Sequence, residues 1–247
     1  MAWRLMQLDL GPDSRTGCLR RIQAALIARF GRIVRPPEKR RSPEWVLVHG
    51  VIGAQTRTAA SNASADALLA EFLSWEAVAA ASLAELEARL QRQTFPRVAA
   101  ERLKACLEAI MAERGSVDLR HLSNLPTEEA MGWLEGLPGI ARKNSAGVMN
   151  ASTFERRAMV IDGHHRRIMQ RTGIVSGKAD TAKTYDTLMP LVPPEWSAAD
   201  MDEHHLLLKA LGQTICRPRS PRCGECPVRA DCETGTSRPS GALHRHE

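Results

Sequence analysis

The stretch GLPGIARKNSAGVMN, residues 136–150, predicts two helices joined by a very short turn. Pro138 fixes φ, and Gly139 permits a backbone conformation that other residues rarely adopt. A turn this tight leaves the first amides of the second helix pointing outward, where they can bind a phosphate. Two interpretations follow. The stretch is either a helix–hairpin–helix that holds a DNA backbone without reading its sequence, or an ordinary helical hairpin with a glycine cap.

Lys143 lies at the start of the second helix of this hairpin. Neighbouring Arg142 and the helix N-terminus both disfavour the charged ammonium form of Lys143. Nucleophilic chemistry requires the neutral amine. Lys143 is therefore a candidate nucleophile, and the alternative is a lysine of ordinary chemistry that contacts a phosphate.

Asp162 follows an apolar Met-Val-Ile run in the stretch AMVIDGHHRRI. Its carboxylate is predicted to emerge from the core, where it could stabilise positive charge growing on a sugar as a base leaves C1′, and could manage protons. The alternative is that Asp162 caps a helix that begins at Gly163. The two roles are compatible.

Four cysteines near the C-terminus have the spacing Cys216-x6-Cys223-x2-Cys226-x5-Cys232. A cubane iron–sulfur cluster needs one thiolate on each of four irons, which suits one tight pair flanked by longer gaps. Structural zinc sites usually combine two tight pairs, and disulfides suit secreted chains. The spacing favours the cluster over zinc or disulfides. The other two cysteines, Cys18 and Cys106, lie in helix-like patterns and predict buried structural thiols.

The composition of the 247 residues favours packed helices, since aromatic residues make up only 4% and the core must be built from Leu, Ala, Val, Ile and Met. The apolar stretch WVLVHGVIGAQ from Trp45 could be a buried helix or a strand, and we prefer the helix because helices flank it. The predicted fold is all-α. Periodicity and capping signals predict helices over 17–30, from about 44, over 61–72 and 75–80, from a capping box at 82, and over 95–115, 127–135 and 198–213.

The net charge of +6 and the pI of about 9.3 suggest a polyanionic partner, although simple solubility is an equally good explanation of the charge alone. Residues 1–14 carry charges and no long apolar run, so they do not resemble a signal peptide. No apolar run approaches the length of a membrane helix. We therefore expect a cytoplasmic protein. The last residues, from 234 onward, are predicted to be a frayed tail.

These motifs together resemble the helix–hairpin–helix DNA glycosylases, and the endonuclease III branch most closely. That family has LPGVGRKTA, then VDTH, then C-x6-C-x2-C-x5-C. This chain has LPGIARKNSA, VIDGHH and the same cysteine spacing, and its FPRVAAERLK resembles a further family segment. The likeness runs from about residue 40 to 232. The chain departs from the pattern at Ala141, which replaces a glycine, at Gly163, which replaces a threonine, and in a Lys-to-Asp interval one residue longer.

The resemblance implies two helical lobes with a cleft between them. Residues 39–155 would form a six-helix lobe with the hairpin, and residues 1–38 plus 156–247 would form the lobe that binds a 4Fe-4S cluster. Lys143 would be the Schiff-base nucleophile and Asp162 the catalytic carboxylate. The cluster ligands would be Cys216, Cys223, Cys226 and Cys232.

Several residues are expected to contact DNA on the same basis. Gln55 would fill the gap left by an extruded base, whose flipping costs a few kcal/mol. The further DNA-binding candidates are Gly139, Ala141, Arg142, His164 and Arg166. The cluster would also order a loop whose arginines can contact phosphates: Arg217, Arg219, Arg222 and Arg229. Arg167 could add a further contact.

The activity implied by the resemblance is base-excision repair by a DNA glycosylase with AP-lyase activity, acting on oxidised pyrimidines. Its partner would be double-stranded DNA with a damaged base or an abasic site, and the protein would be a monomer associated with the nucleoid and not with a membrane. Two alternatives remain: a monofunctional glycosylase for another damaged or mispaired base, and a catalytically inactive protein that binds damaged DNA.

Overall fold

The computed structural model describes residues 14–237, and in that range the chain is all-α, as predicted. The one β contact found there is an isolated bridge between Arg41 and Ser152. No helix of the described residues is long and apolar enough to cross a bilayer. The helices are α1 Arg15–Phe30, α2 Pro43–Ile52, α3 Thr58–Phe72, α4 Trp75–Ala80, α5 Leu83–Arg89, α6 Pro96–Arg114, α7 Thr127–Glu135, α8 Arg142–Ala151, α9 Gly163–Thr172, α10 Thr181–Leu188, α11 Ala198–Thr214 and α12 Glu233–Thr236.

The chain divides into two compact units. Arg35–Val160 form one of them and contain α2 to α8, while the described residues on either side form the other and contain α1 and α9 to α12. The division falls at 34/35 and 160/161, where the sequence suggested 38/39 and 155/156. We call these the hairpin unit and the cysteine unit.

Local capping signals explain where several helices begin. The Ser42 side chain accepts a hydrogen bond from the Trp45 amide at 3.3 Å, and Pro43 occupies the first turn of α2. Ser82 caps α5 and Ser197 caps α11, each in a reciprocal capping box with an acidic residue three positions later. The stretch that could have been helix or strand is the helix α2.

The core of the hairpin unit is arranged around α2, whose Leu47, Val48 and Val51 are buried. Burying a side chain of this size contributes about 1.5–3 kcal/mol. Helix α2 packs on α6 and α8. It approaches α8 closely at Gly50, where a Cβ would lie 3.3 Å from Asn144 Cγ.

The core of the cysteine unit is built from α1 and α11. Leu19, Ile22 and Leu26 of α1 are fully buried and pack toward the buried leucines of α11. Glu203 of α11 is paired with groups on and just after α1. Glu203 accepts hydrogen bonds from Arg32 Nε at 2.8 Å, from the Ile33 amide at 2.9 Å and from Gln23 Nε2 at 3.3 Å.

The structure differs from the sequence-based expectations in a few elements. Helix α3 begins at Thr58, three residues before the predicted start, and α10 was not predicted. Residues from 234 onward are not all a frayed tail, because α12 covers Glu233–Thr236 and the Gly235 amide donates to Cys232 Sγ at 3.3 Å. Residues 1–13 and 238–247, on which the predictions of the leader and the rest of the tail depend, lie outside the described residues.

Candidate functional site

The hairpin predicted at 136–150 is formed by α7, a short turn and α8. The Leu137 amide donates to Leu134 O at 3.1 Å and the Ile140 amide to Leu137 O at 3.2 Å, which closes the turn. Gly139 has φ +79°, so this position favours glycine. Ala141 has φ −127° and ψ 169°, an extended conformation open to any residue. The alanine at 141 therefore introduces no backbone strain into the turn.

Arg142, which was expected to contact DNA, forms an ion pair within the hairpin. Its Nε donates to Glu135 Oε1 at 2.7 Å, and the Ser145 hydroxyl donates to the same oxygen at 2.6 Å. Glu135, the last residue of α7, thus ties the two legs of the hairpin together.

Lys143 is the second residue of α8 and is half-buried. No side chain caps this helix, so its first turn keeps the outward-facing amides that favour an anion. Lys143 follows Gly139 by four residues in the chain (143 − 139).

Gln55 lies in the loop between α2 and α3, with its side chain exposed and φ +56°. Thr94 holds this loop, because its hydroxyl donates to Gln55 O at 2.9 Å and its amide donates to Thr56 Oγ1 at 3.0 Å. A left-handed conformation costs a residue other than glycine about 1–2 kcal/mol. The loop therefore presents Gln55 to solvent at an energetic cost.

Phe95, next to Thr94, is 52% exposed. Phe95 begins the segment FPRVAAERLK, which the sequence analysis matched to the family without assigning Phe95 a role. The structure places it beside the threonine that holds the Gln55 loop, so an exposed aromatic ring and an exposed glutamine share this region of the hairpin unit.

Asp162 caps α9, as one of the two compatible interpretations predicted. Its Oδ1 accepts hydrogen bonds from the His164 and His165 amides, each at 2.8 Å. Burial raises the pKa of this carboxyl group, but His205, the amide of His165 and the rings of His165 and His164 lower it, and the net pKa lies below the ordinary value of 3.8. Asp162 is therefore a carboxylate at neutral pH.

His164 packs against α11, and its Nδ1 lies 3.2 Å from Arg167 Nη2. Arg167, considered a possible phosphate contact, instead donates to Gly212 O at 3.0 Å and to Cys216 O at 2.7 Å. Its side chain is thereby directed toward α11 and the start of the cysteine loop. Arg166 is half-buried on the same helix.

The four cysteines of the C-terminal motif line one pocket of the cysteine unit. Arg171 also lines it: Nη1 donates to Cys216 Sγ at 3.2 Å and to Arg217 O at 2.8 Å, and Nη2 donates to Pro218 O at 2.7 Å. Sequence reasoning missed Arg171, because its partners lie 45 to 47 residues away. This guanidinium fixes the beginning of the loop against α9.

The arginines of the cysteine loop have different environments. Arg222 donates to Thr214 O at 2.8 Å and pairs with Glu225 at 3.1 Å, while Arg229 Nε donates to Gly235 O at 3.1 Å. Arg217 and Arg219 are exposed. The latter two are the better placed of the four for a phosphate.

The donor set of this pocket fits an iron–sulfur cluster. Burial, together with the charges of the other motif cysteines, raises the pKa of Cys226 to about 11, so binding must displace protons from thiols. A guanidinium on Cys216 Sγ and an amide on Cys232 Sγ supply hydrogen bonds that thiolate ligands accept. Over residues 14–237 no three Cys, His, Asp or Glu side chains converge as the ligands of one ion.

The two remaining cysteines are distinct from the motif. Cys106 is fully buried, and burial raises its pKa to about 12. Cys18 was predicted to be buried, but it is only half-buried. Its partial burial is the largest cause that raises its pKa to about 11, and the charge of Asp231 is the next largest. Both are protonated at neutral pH.

Comparison with known proteins shows which family this chain matches. Residues 48–194 match the HhH-GPD superfamily base excision DNA repair protein family. Residues 216–232 match the iron-sulfur binding domain of endonuclease III, and the motif is that of a 4Fe-4S cluster.

Individual relatives support the same assignment. The chain is 37% identical to endonuclease III of Bacillus subtilis over 108 residues, 43% of this chain and 47% of the relative. It is 31% identical to adenine DNA glycosylase of Mycolicibacterium smegmatis over 172 residues, 68% of this chain and 53% of the relative. The chain thus matches about half the length of these curated relatives.

A solved structure of a trapped endonuclease III–DNA covalent intermediate shares the fold, with a TM-score of 0.72 at 22% identity, covering 90% of this chain and 97% of the other. The family match spans more than half of the chain and includes the hairpin, Gln55, Lys143 and Asp162. The chain therefore belongs to the HhH-GPD superfamily of base excision DNA repair proteins.

Proposed function

We propose that this protein is a DNA glycosylase with AP-lyase activity, acting on double-stranded DNA that carries an oxidised pyrimidine or an abasic site. The observation that carries the proposal is the position of Lys143, the second residue of the helix that follows the hairpin turn, within the segment matched to base excision repair proteins. A lysine there combines a nucleophile with a backbone site for phosphate.

The hairpin unit binds the DNA in this proposal. The turn at Gly139 and Ala141 and the first amides of α8 hold a backbone phosphate, with Arg142 keeping the hairpin closed through Glu135. Gln55 enters the space left by the extruded base, and its exposed, strained loop suits that role. Phe95 offers a face on which a neighbouring base can stack.

Lys143 carries the covalent chemistry. Its neutral amine attacks C1′, the bond from C1′ to the base breaks, and the base leaves with a proton. Opening of the sugar ring gives a Schiff base between Lys143 Nζ and C1′. Loss of a proton from C2′ then breaks the bond between C3′ and its oxygen, which cuts the strand 3′ to the lesion, and water releases the lysine.

Asp162 acts as an ionised carboxylate beside the reacting sugar. Its charge stabilises the positive charge that develops at C1′, and it accepts a proton from the attacking amine. The two amides that it holds at the start of α9 keep this carboxylate in one orientation. His164 and Arg166 follow on the same helix, and we propose that Arg166 contacts the DNA backbone.

The cluster is proposed to be held by Cys216, Cys223, Cys226 and Cys232, and it supplies a rigid centre around which residues 216–232 are ordered. Arg171 and the Gly235 amide hold two of the sulfurs. The ordered loop presents Arg217 and Arg219 to phosphates.

Borohydride trapping on a duplex with one abasic site tests the proposal. Wild-type protein should give a covalent adduct, and Lys143→Ala should give none while keeping its cluster and its affinity for the duplex. Lys39→Ala, which removes an exposed lysine of the same unit, is the control and should trap normally. Wild-type protein that binds the duplex and forms no adduct would refute the lyase mechanism.

A second function is favoured by one observation. The match to adenine DNA glycosylase covers more of this chain than the match to endonuclease III of Bacillus subtilis. A monofunctional glycosylase would release a base with no strand cleavage, and Lys143→Ala would still release it. Assaying base release and strand cleavage separately, on duplexes with oxidised pyrimidines and on duplexes with mispaired adenine, decides between the two.

A further inference from the structure

An exposed stripe runs along one face of α6 in the hairpin unit. Phe95 is the residue just before α6, and Val98 and Arg102 are four residues apart within it, so the side chains of Val98 and Arg102 lie on the same side of the helix. Phe95 is 52% exposed, Val98 is 40% exposed, and Arg102 is also exposed. These three side chains form an exposed surface that is apolar at one end and cationic at the other.

The stripe joins the two DNA-binding features proposed above. At one end, Phe95 follows Thr94, whose hydroxyl holds Gln55 O at 2.9 Å. At the other end, Arg102 lies against the hairpin turn. The position of a Cβ on Gly139 would be 3.7 Å from Arg102 Cγ, 3.8 Å from its Cβ and 4.0 Å from its Cδ.

This packing involves the aliphatic carbons of the Arg102 side chain and not its guanidinium. The aliphatic stem lies against Gly139, so the guanidinium at its end is near the hairpin turn. Restraining the stem in advance reduces the entropy lost when the guanidinium binds a ligand.

The charged end of Arg102 has no partner among residues 14–237. In the part of the chain that the structure describes, its side chain has no hydrogen bond or ion pair. The preceding Glu101 pairs with Arg97 at 3.0 Å, and Glu135 of the hairpin accepts from Arg142 at 2.7 Å. Glu101 and Glu135 are thus each paired with a different arginine.

We propose that Arg102 binds a DNA phosphate next to the one held by the hairpin, and that the stripe of Phe95, Val98 and Arg102 extends the DNA-binding surface from the turn to the Gln55 loop. The proposal rests on the proposed function, since it takes DNA as the partner. Arginine suits the role because its planar guanidinium binds phosphate through two parallel hydrogen bonds. Sequence analysis assigned no function to Arg102.

The salt dependence of DNA binding tests the role of Arg102. Losing one phosphate contact should lower the slope of log K against log salt concentration by about 0.9, and should weaken binding about eightfold at 0.1 M salt. We expect this for Arg102→Ala, and also for Arg102→Gln, which keeps most of the stem and removes the charge. Arg102→Lys should retain the slope.

Arg97→Ala is the matched control, because Arg97 lies on the same helix and is paired with Glu101. It should leave the slope unchanged. The measurements use the full chain with its cluster and a duplex carrying an abasic site. If wild type binds and neither Arg102→Ala nor Arg102→Gln alters the slope, this proposal is wrong while the proposed function survives. If wild type binds no duplex, both are wrong.

Discussion

Gly212 of α11 lies directly against His164 of α9. A Cβ on Gly212 would fall 2.6 Å from His164 Nδ1 and 2.7 Å from His164 Cβ, closer than real contacts of a Cβ allow. Arg167 joins the same two helices by donating to Gly212 O at 3.0 Å. The missing side chain of Gly212 therefore sets how closely the helix of Asp162 approaches the helix that leads to the cysteines.

Gly212→Ala should destabilise the cysteine unit, because the added methyl group forces α9 and α11 apart or displaces His164. Overpacking of this kind costs about 1–3 kcal/mol. Gly132→Ala, at an exposed position of α7 where a Cβ would meet nothing within 4 Å, should instead stabilise the protein by up to about 1 kcal/mol. Melting temperatures of both variants check this. Equal behaviour of the two would contradict the role of Gly212.

The hairpin and most helix starts could be predicted from sequence because their signals are local. Pro138, Gly139 and the capping boxes at Ser82 and Ser197 act within four residues of the structure that they determine. The start of α10 carries a comparable local signal, since the Asp180 side chain accepts a hydrogen bond from the Lys183 amide at 2.8 Å.

The contacts of the site could not be predicted in the same way, because they join distant parts of the chain. The sequence suggested a phosphate contact for Arg167 and no role for Arg171, and only the packing of α9 on α11 turns both side chains toward Cys216. The contact between Arg102 and Gly139 could not be predicted for the same reason, since Gly139 lies 37 residues later in the chain (139 − 102).

Asp162→Asn should separate the two roles of this carboxylate. Asparagine is about as good a helix cap as aspartate, so stability should change little, whereas Asp162→Ala should cost about 1 kcal/mol. Both variants should trap an abasic duplex about 100-fold more slowly or worse, because the charge is lost. Asp162→Asn with wild-type trapping rates would show that Asp162 is only a cap.

The direction of the pKa shift gives the pH dependence of this effect. Because the pKa of Asp162 in the folded protein lies below 3.8, its contribution to stability is complete above the ordinary value and is lost as pH falls through the lowered one. Between pH 5 and pH 8 the carboxylate does not titrate. A pH–rate profile whose acid limb in that range disappears in Asp162→Asn would contradict this.

Arg171→Lys should loosen the cysteine loop. A lysine cannot reproduce the fork that reaches Cys216 Sγ, Arg217 O and Pro218 O together. Loss of about 2 kcal/mol of charge-assisted hydrogen bonding would shift the equilibrium toward cluster loss about thirtyfold. Iron and sulfide content after exposure to a chelator measures this. Arg217→Ala, which removes an exposed side chain and keeps the carbonyl, should retain the cluster.

Gln55→Gly and Gln55→Ala should differ in stability and agree in activity. Glycine adopts φ +56° without the strain that alanine shares with glutamine, so the glycine variant should be more stable than the alanine variant by about 1 kcal/mol. Both lack the side chain that is proposed to replace the extruded base, so both should excise slowly. Unfolding curves and single-turnover excision rates report the two effects separately, and equal stability of the variants would show that the loop is unstrained.

His204 should make the cysteine unit sensitive to acid. The residue is fully buried, and its Nδ1 lies 2.7 Å from Gln23 Oε1, which assigns the proton to Nδ1. Burial, followed by the charges of His165 and His205, holds the pKa of His204 well below 6.5. His204 is therefore neutral in the folded protein at neutral pH. In the unfolded chain the same residue takes up a proton near pH 6.5.

The sign of this linkage is that stability is complete above the unfolded pKa and falls as the pH drops below it. If His204 stays neutral in the folded protein down to pH 5.5, lowering the pH from 7.5 to 5.5 should cost about 1.4 kcal/mol through His204 alone, or about 4 °C in melting temperature. His204→Gln keeps a donor for Gln23 and cannot titrate, so its melting temperature should fall less over the same range by that amount. Because the comparison is between pH responses, an overall loss of stability in the variant does not affect it. An identical pH response in the two proteins would mean that His204 is protonated in the folded state and that its buried ring is accommodated as a cation.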